Sequence, residues 1–160
     1  MSKNAPAARA FSPPRNCRIA IVASRFNEAL VDRLLAGCHQ RLIELGLTEN
    51  RIDVHRVPGA FEIPLAAQRA ARTGRYAAVI CLGVILRGQT SHAQQIADAV
   101  SASLARLQTR HAIPVIHEVL LLENQAQAVV RCLDKKHNRG AEAAQTALEM
   151  ARVMASLPTP

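Results

Sequence analysis

The residues with the clearest capacity for chemistry lie within positions 79–96, which read VICLGVILRGQTSHAQQI. His92 can gain and lose a proton near neutral pH, and Arg87 adds a fixed positive charge shortly before it. Ser91 and Gln94 have the spacing of a capping box, so a helix is predicted to begin at about His92. The unpaired backbone amides of a first helical turn carry a partial positive charge. The stretch therefore predicts an anion site, suited to phosphate, beside a proton carrier.

The same pattern also has a plain structural interpretation. Glycines ahead of a capped helix are common in α/β proteins, and an isolated histidine at a helix start is more often a surface residue. Residues 83–92 match neither the P-loop pattern G-x-x-x-x-G-K-[ST] nor the dinucleotide pattern G-x-G-x-x-G. On its own, the stretch indicates an anion site without identifying the ligand.

The elements that would position this stretch alternate between short apolar runs and helical periodicities. Gly83 and Gly88 are predicted to bracket the turn after the third strand, Asn27 to cap the first helix, and Gly46 to end it. The predicted strands are residues 18–23, 52–57, 77–82 and 114–122, and the predicted helices are residues 28–45, 61–72, 92–110, 123–133 and 140–155. This order predicts a three-layer α/β sandwich, in which a four-stranded parallel sheet has helices on both faces.

Ligands of such sheets bind beyond the carboxyl ends of the strands, and the unusual residues of this chain fall there. They are Phe26 and Asn27 after the first strand, Gly59, Ala60, Phe61 and Glu62 after the second, and residues 84–92 after the third. Phe26 could instead be a hydrophobic staple, and Phe61 could face the core from a first helical turn. Both phenylalanines coincide with glycine turns, however. A ligand pocket is therefore as good an interpretation of the two residues as these structural roles.

The amino-acid composition indicates the general class of protein to which the chain belongs. Hydrophobic residues make up 49% of the 160 residues and aromatic residues only 2%, which favours a core of Leu, Ile, Val and Ala around a buried parallel sheet in one domain. No apolar run is long enough for a membrane span, and the N-terminus has no apolar signal region. We therefore expect a cytoplasmic protein without a membrane partner. The four cysteines are expected to be reduced packing residues; they are Cys17, Cys38, Cys81 and Cys132.

The net charge of +8 raises the alternative of a nucleic-acid-binding module. The basic residues are spread along the chain, however, and few aromatic residues are available to stack on bases. No nucleic-acid partner is therefore expected, and the charge favours small anionic ligands. A receiver-like signalling domain would need acidic residues after the first strand and an aspartate after the third, where Ser24, Arg25 and Gly83 stand.

Four stretches together resemble the lumazine synthase family. They are SRFN at 24–27, PGAFEIP at 58–64, GVILRGQTSH at 83–92, and residues 131–144, which contain NRGAEAA. The resemblance implies a flavodoxin-like topology. It also implies the condensation of 5-amino-6-ribitylaminouracil with 3,4-dihydroxy-2-butanone 4-phosphate to 6,7-dimethyl-8-ribityllumazine, a step of riboflavin biosynthesis that uses no metal or organic cofactor.

The resemblance also implies roles for individual residues. Phe26 would stack on the pyrimidine, and His92 would carry protons during the condensation. The substrate-binding residues would be Phe26, Asn27, Gly59, Ala60, Phe61, Glu62, Val84, Ile85, Leu86 and His117. The phosphate-binding residues would be Gly88, Gln89, Thr90, Arg131 and Lys135.

Three positions depart from the family pattern. His117 stands where the family often has an aromatic residue, and it could cover the ring or be a buried, hydrogen-bonded histidine. Ala93 replaces the usual phenylalanine after the proton carrier, and residues 133–140 (LDKKHNRG) lack an early glycine. A flavin- or lumazine-binding homologue without turnover remains the alternative function.

The resemblance further implies a homo-oligomer whose sites lie between the subunits of a five-membered ring. Such rings remain single, pair into decamers or close into shells of sixty subunits. Side chains and charge at residues 134–137 restrict the backbone where the family often has glycine, so a decamer is predicted over a shell. Residues 1–15, with three prolines, are predicted to form an N-terminal arm ahead of a domain spanning 16–160.

Overall fold

The computed structural model describes residues 12–134 and 137–158. Its sheet has four parallel strands in the order β2-β1-β3-β4. The strands are β1 (Ile19–Ser24), β2 (Ile52–Val57), β3 (Ala78–Leu86) and β4 (Val115–Leu122). The helices are α1 (Glu28–Glu44), α2 (Ile63–Arg72), α3 (His92–His111), α4 (Gln125–Ala128) and α5 (Arg139–Ser156). The predicted α/β sandwich is thereby confirmed.

Every residue of β1 is buried, because the strand lies inside the sheet and both of its faces are covered. Ile21 belongs to the core that α1 and α5 complete, and Val22 belongs to the core that α2 and α3 complete. Successive side chains of a strand point to opposite faces. Because helices cover both faces of the sheet, the side chains on both faces of β1 must be suited to burial.

Helix α1 follows the predicted periodicity, with Leu30, Leu34, Cys38 and Leu42 buried on one side. It ends before Gly46, whose φ of 94° is a left-handed conformation that glycine adopts without strain. At the start of α1, the prediction that the Asn27 side chain caps the helix is wrong, because that side chain makes no capping bond.

The third strand is longer than predicted. It continues through Gly83 to Leu86, so the predicted turn from Gly83 is wrong and only Gly88 lies in the turn before α3. A Cβ on Gly83 would lie 3.1 Å from Val119 Cγ1 and 3.2 Å from Ile63 Cδ1. Glycine therefore stands here because neighbouring side chains fill the space.

Two predicted helices are divided. A 3-10 turn, Ala60–Glu62, precedes α2, and α4 passes into a π-helical segment, Val129–Leu133. Such π-helical turns are uncommon and often occur at functional sites. The periodicity of residues 123–133 could not distinguish this geometry from a single α-helix.

The four cysteines are buried and free, as predicted for packing residues. Burial raises the pKa of each thiol, that of Cys132 to about 11. Among the residues described, no helix combines the length and apolar character that crossing a membrane requires. The predicted arm lies mostly outside the described residues, which begin at Ser12.

Candidate active site

The loops after β1 and β2 are joined by backbone hydrogen bonds at the carboxyl edge of the sheet. The Arg25 amide donates to the Val57 carbonyl over 2.8 Å, and the Phe26 amide donates to the Pro58 carbonyl over 3.0 Å. These bonds continue the β1–β2 pairing beyond the strands. They place the SRFN and PGAFE segments side by side, as the parallel sheet predicted.

Asn27 connects the same loops to β3. Its Nδ2 donates to the Val84 carbonyl over 2.8 Å, while its backbone has a left-handed φ of 57°. Asparagine tolerates that conformation better than most residues. The side chain is thus used to hold two strand ends together instead of capping α1.

Two aromatic rings project from this edge. Phe26 and Phe61 are 73% and 63% exposed, so Phe61 does not face the core and Phe26 is not packed as a hydrophobic staple would be. Exposed aromatic rings at strand ends are suited to contacting a planar ligand.

Glu62 folds back over the turn after β2. Its Oε2 accepts a 2.9 Å hydrogen bond from the Gly59 amide, and a Cβ on Gly59 would lie 2.9 Å from the same oxygen. The carboxylate remains exposed, whereas Ala60 is buried. The turn therefore presents one carboxylate and its backbone groups to the site.

The third strand contributes less side-chain surface than predicted. Val84 and Ile85 are only 1% and 8% exposed, because they lie within the strand and pack in the two cores. Leu86 is partly buried. The expectation that Val84 and Ile85 line an open pocket with their side chains is corrected accordingly; their backbone lies at the site.

The predicted capping box at the start of α3 is wrong, although the helix does begin at His92. Ser91 makes no capping bond, and its Oγ accepts instead from Gln95 Nε2 over 3.2 Å. Gln94 accepts from Arg87 and donates to Asp98. The side chains with capping spacing thus have other partners.

The turn before α3 is open to solvent. Gly88, Gln89, Thr90 and His92 are all exposed, and a Cβ on Gly88 would meet nothing within 4 Å. The Thr90 hydroxyl lies 3.5 Å from the His92 amide. The predicted anion site therefore has accessible backbone amides and an accessible imidazole.

Arg87 does not present its charge freely to this turn. Its Nε lies 2.9 Å from Glu123 Oε1, and its guanidinium donates to Gln94 over 2.6 Å. The side chain therefore connects the end of β3, the first turn of α3 and the loop after β4.

His117 is exposed on β4 and both of its ring nitrogens are engaged. The Val119 amide donates to Nδ1 over 3.3 Å, and Nε2 lies 2.8 Å from the Ser101 hydroxyl. Desolvation lowers the pKa of His117 below its usual value. Because Nδ1 accepts from the Val119 amide, a neutral His117 ring carries its proton on Nε2 and can donate it to the Ser101 hydroxyl.

Arg131 lies on the π-helical segment and is partly buried. Burial raises the pKa of the nearby Glu118 carboxyl, and the positive charge of Arg131 weakly opposes that shift. Lys135, the other predicted phosphate ligand, lies outside the described residues.

The buried pair Glu118–Arg139 was not identified from the sequence. Glu118 is 5% exposed, and its two oxygens accept from Arg139 Nε and Nη2 over 3.0 and 2.7 Å. Burial raises the pKa of Glu118, and Arg139 opposes that shift. An acidic residue inside the apolar run of β4 was the available signal, since a buried carboxylate needs a partner.

A cavity of about 740 Å³ lies between α2 and α3. Most of its lining surface is apolar, contributed by residues such as Phe61, Leu65 and Leu107, and its lining also includes Arg106 and Arg110. His92 and the glycine turn do not line it. In the ranges 12–134 and 137–158, no cluster of three His, Cys, Asp or Glu residues could hold a metal ion.

The strand order β2-β1-β3-β4, with helices on both faces and a site at the carboxyl edge, defines an α/β protein of the flavodoxin-like class. The sequence model of the 6,7-dimethyl-8-ribityllumazine synthase family matches residues 16–155, and the chain belongs to this family.

Two relatives named 6,7-dimethyl-8-ribityllumazine synthase match across nearly the whole chain. They come from Xanthomonas euvesicatoria pv. vesicatoria (strain 85-10) and Xanthomonas axonopodis pv. citri (strain 306). Each is 42% identical over 145 residues, which cover 91% of this chain and 94% of the relative.

Proposed function

We propose that this chain is an enzyme of riboflavin biosynthesis, a transferase that condenses 5-amino-6-ribitylaminouracil with 3,4-dihydroxy-2-butanone 4-phosphate. The products are 6,7-dimethyl-8-ribityllumazine, inorganic phosphate and water. The observation that carries the proposal is the pair of exposed rings, Phe26 and Phe61, held at the carboxyl edge of a family-typical sheet. A flat heterocycle is the ligand that such rings suit.

The direct test is to incubate the purified protein with both substrates and follow the fluorescence of the lumazine product. Phosphate release is measured in parallel and should match product formation mole for mole. Each substrate alone serves as the blank. Binding of a lumazine or flavin without turnover would instead support the non-catalytic homologue.

In the proposed complex, Phe26 stacks on the pyrimidine, a kind of contact worth about 1–3 kcal/mol for bases in nucleic-acid complexes. The backbone at Ala60 and Phe61, with the Glu62 carboxylate and the Asn27 amide oxygen, would bind the polar edge of the ring and the ribityl chain. Val84 and Ile85 would act through their backbone, with Leu86 beside them and His117 covering the ring. The Asn27–Val84 hydrogen bond supports this role by fixing the site edge before the substrate arrives.

The phosphate would bind at Gly88, Gln89 and Thr90, where the exposed turn leads into α3. Arg131 would supply a planar guanidinium that can make two parallel hydrogen bonds to phosphate oxygens. We extend the proposal to Lys135 from the family resemblance alone. Holding both substrates in reacting geometry contributes much of the rate enhancement.

His92 would move protons as the amine attacks the ketone, water leaves and phosphate is eliminated. His92→Ala is expected to lower turnover about 10-fold or more, and by no more than the ~10²–10⁴-fold that general acid–base catalysis contributes. The fold should persist, because the side chain is exposed. The matched control is His39→Ala, on α1 and paired with Glu49. If the His92→Ala variant and the parent have the same rate from pH 6 to 8, His92 has no part in the mechanism.

Arg131→Lys retains the charge but loses the planar fork, so it is not a conservative change at a phosphate site. We expect KM for the butanone phosphate to rise about 10-fold, the loss of roughly one charge-assisted hydrogen bond, with little change in KM for the pyrimidine. Arg72→Lys, at the exposed end of α2, is the control. Equal changes in both KM values would assign Arg131 a structural role.

We propose that the minimal active unit is a pentamer in the cytoplasm, in which His117 and Arg131 of one subunit complete the site of its neighbour. The cavity between α2 and α3 has a mostly apolar lining, and Leu65 beside it is 75% exposed. Both features support the packing of a neighbouring subunit at this cavity. Two pentamers would stack into a decamer.

Light scattering tests the assembly. Ten chains of 17.3 kDa give a particle of about 173 kDa, whereas a shell of sixty would approach a megadalton. We expect a single species near the smaller mass. A megadalton peak at micromolar protein would overturn the decamer.

A further inference from the structure

The side chain of Asn138 lies where α1, the π-helical segment and α5 meet. Its Nδ2 donates to the Cys132 carbonyl over 2.6 Å and to the Arg33 carbonyl over 3.2 Å. Its Oδ1 accepts from the Ala141 amide over 3.1 Å, which caps α5. One side chain thus satisfies backbone groups of three separate elements.

The junction is built around this particular side chain. A Cβ on Gly37 of α1 would lie 2.5 Å from Asn138 Oδ1 and 2.9 Å from Nδ2. No real Cβ tolerates such a distance, so the amide occupies space that glycine leaves free. The position therefore does more than cap a helix, which Ser, Thr or Asp would do as well.

Cys132 anchors the π-helical segment in the core, while its other apolar side chains are partly exposed. Val129, Val130 and Leu133 are 46%, 49% and 44% exposed, and Cys132 is the buried residue of the segment. The Cys132 carbonyl that Asn138 holds belongs to the residue directly after Arg131. Fixing that peptide group fixes the backbone from which the Arg131 side chain extends.

We propose that Asn138 is a positioning residue for phosphate binding and that it acts through Arg131. The inference rests on the proposed function, in which Arg131 contacts the phosphate of the butanone substrate. Without the Cys132 bond, the segment loses a direct connection to the start of α5 and to α1, so that the backbone at Arg131 can shift. A displacement of about 1 Å in a binding group can cost up to ~100-fold in rate.

The first test is Asn138→Ser, which retains an oxygen for capping α5 but cannot reach both carbonyls. We expect KM for the butanone phosphate to rise about 10-fold, with KM for the pyrimidine and kcat within about 2-fold. The control is Asn50→Ser, because Asn50 lies in the 3-10 turn before β2, on a different element from Arg131, and its Oδ1 accepts from the Thr48 hydroxyl. That variant should leave both KM values unchanged.

The second test is the double variant Arg131→Lys, Asn138→Ser. Residues that act through one another are not additive, so the double variant should resemble Arg131→Lys alone. Additive losses, or equal rises in both KM values for Asn138→Ser, would overturn the positioning role. If Asn138→Ser does not fold, Asn138→Asp keeps the volume and the cap while removing the donor, and the same comparisons apply.

The outcomes separate this inference from the proposed function. If Arg131→Lys raises KM for the phosphate substrate but neither Asn138 variant does, the positioning role fails and the phosphate role of Arg131 stands. If Arg131→Lys leaves that KM unchanged, the phosphate role fails and the positioning role fails with it.

Discussion

Gly140→Ala is expected to destabilise the protein by about 4 kcal/mol or more, at the upper end of single-residue effects. A Cβ on Gly140 would lie 1.9 Å from the Leu34 carbonyl oxygen and 2.7 Å from its carbon. Both belong to the backbone of α1, so no side-chain rotation relieves the overlap. The two helices would have to separate, which would expose the core they share with β1.

Urea unfolding of the variant and the parent at one protein concentration measures this effect, since oligomer stability depends on concentration. Gly88→Ala is the matched control for stability, because a Cβ there meets nothing within 4 Å. It should change the free energy of unfolding by less than about 0.5 kcal/mol. A Gly140→Ala protein of near-parental stability would contradict the close approach of α1 and α5.

Arg139→Met is expected to cost about 3–5 kcal/mol at pH 8, because it leaves the Glu118 carboxylate buried without its main partner. Arg139 also pairs with Glu142, which is more accessible and can be hydrated. Chemical unfolding at pH 8 measures the loss. Glu142→Gln is the control, since it removes the more exposed partner of the same guanidinium.

The free energy of unfolding that Arg139→Met removes should be larger at high pH than at low pH. The folded-state pKa of Glu118 is already raised by burial and should rise further without Arg139. A raised pKa means that the folded state holds the proton more tightly than the unfolded state. The cost is therefore greatest above the folded pKa and should shrink as the pH falls from 8 toward 5. The double variant Glu118→Gln, Arg139→Met should recover most of the stability at pH 8, and a deficit independent of pH would contradict the mechanism.

The sheet could be predicted from sequence because β1, β3 and β4 contain apolar runs and β2 alternates between apolar and polar residues. Ile19–Ser24 is entirely buried, and a run of that length between two polar segments indicates a strand covered on both faces. The carboxyl-edge location of the site then followed from topology. Phe26, Asn27 and the PGAFE turn come together there for that reason.

The errors at Gly83 and Ser91 arose from local rules that distant residues override. A glycine after an apolar run indicates a turn, but Gly83 remains in the strand because Val119 and Ile63 occupy the space beside it. Ser91 and Gln94 have capping spacing, but Arg87 and Asp98 engage Gln94 instead. Neither competitor is visible in a short window of sequence.

The contacts of Asn138 could not be predicted from the sequence for a different reason. Its partner on α1, Arg33, is 105 residues away, and the fit depends on Gly37, which looks like an ordinary helical glycine. The π-helical segment that this bond holds has the same periodic pattern as an α-helix. Only the packing of α1 against α5 reveals why an asparagine stands there.

The central position of β1 has a consequence for synthesis on the ribosome. Ile19 pairs with Ile52 on one side and with Ala78 on the other, so the first strand to be made needs two partners that emerge later. At about 5–20 residues per second, an apolar segment waits seconds for its neighbours with both hydrogen-bonding edges open. Until β2 and β3 emerge, these open edges are a surface on which other chains can pair.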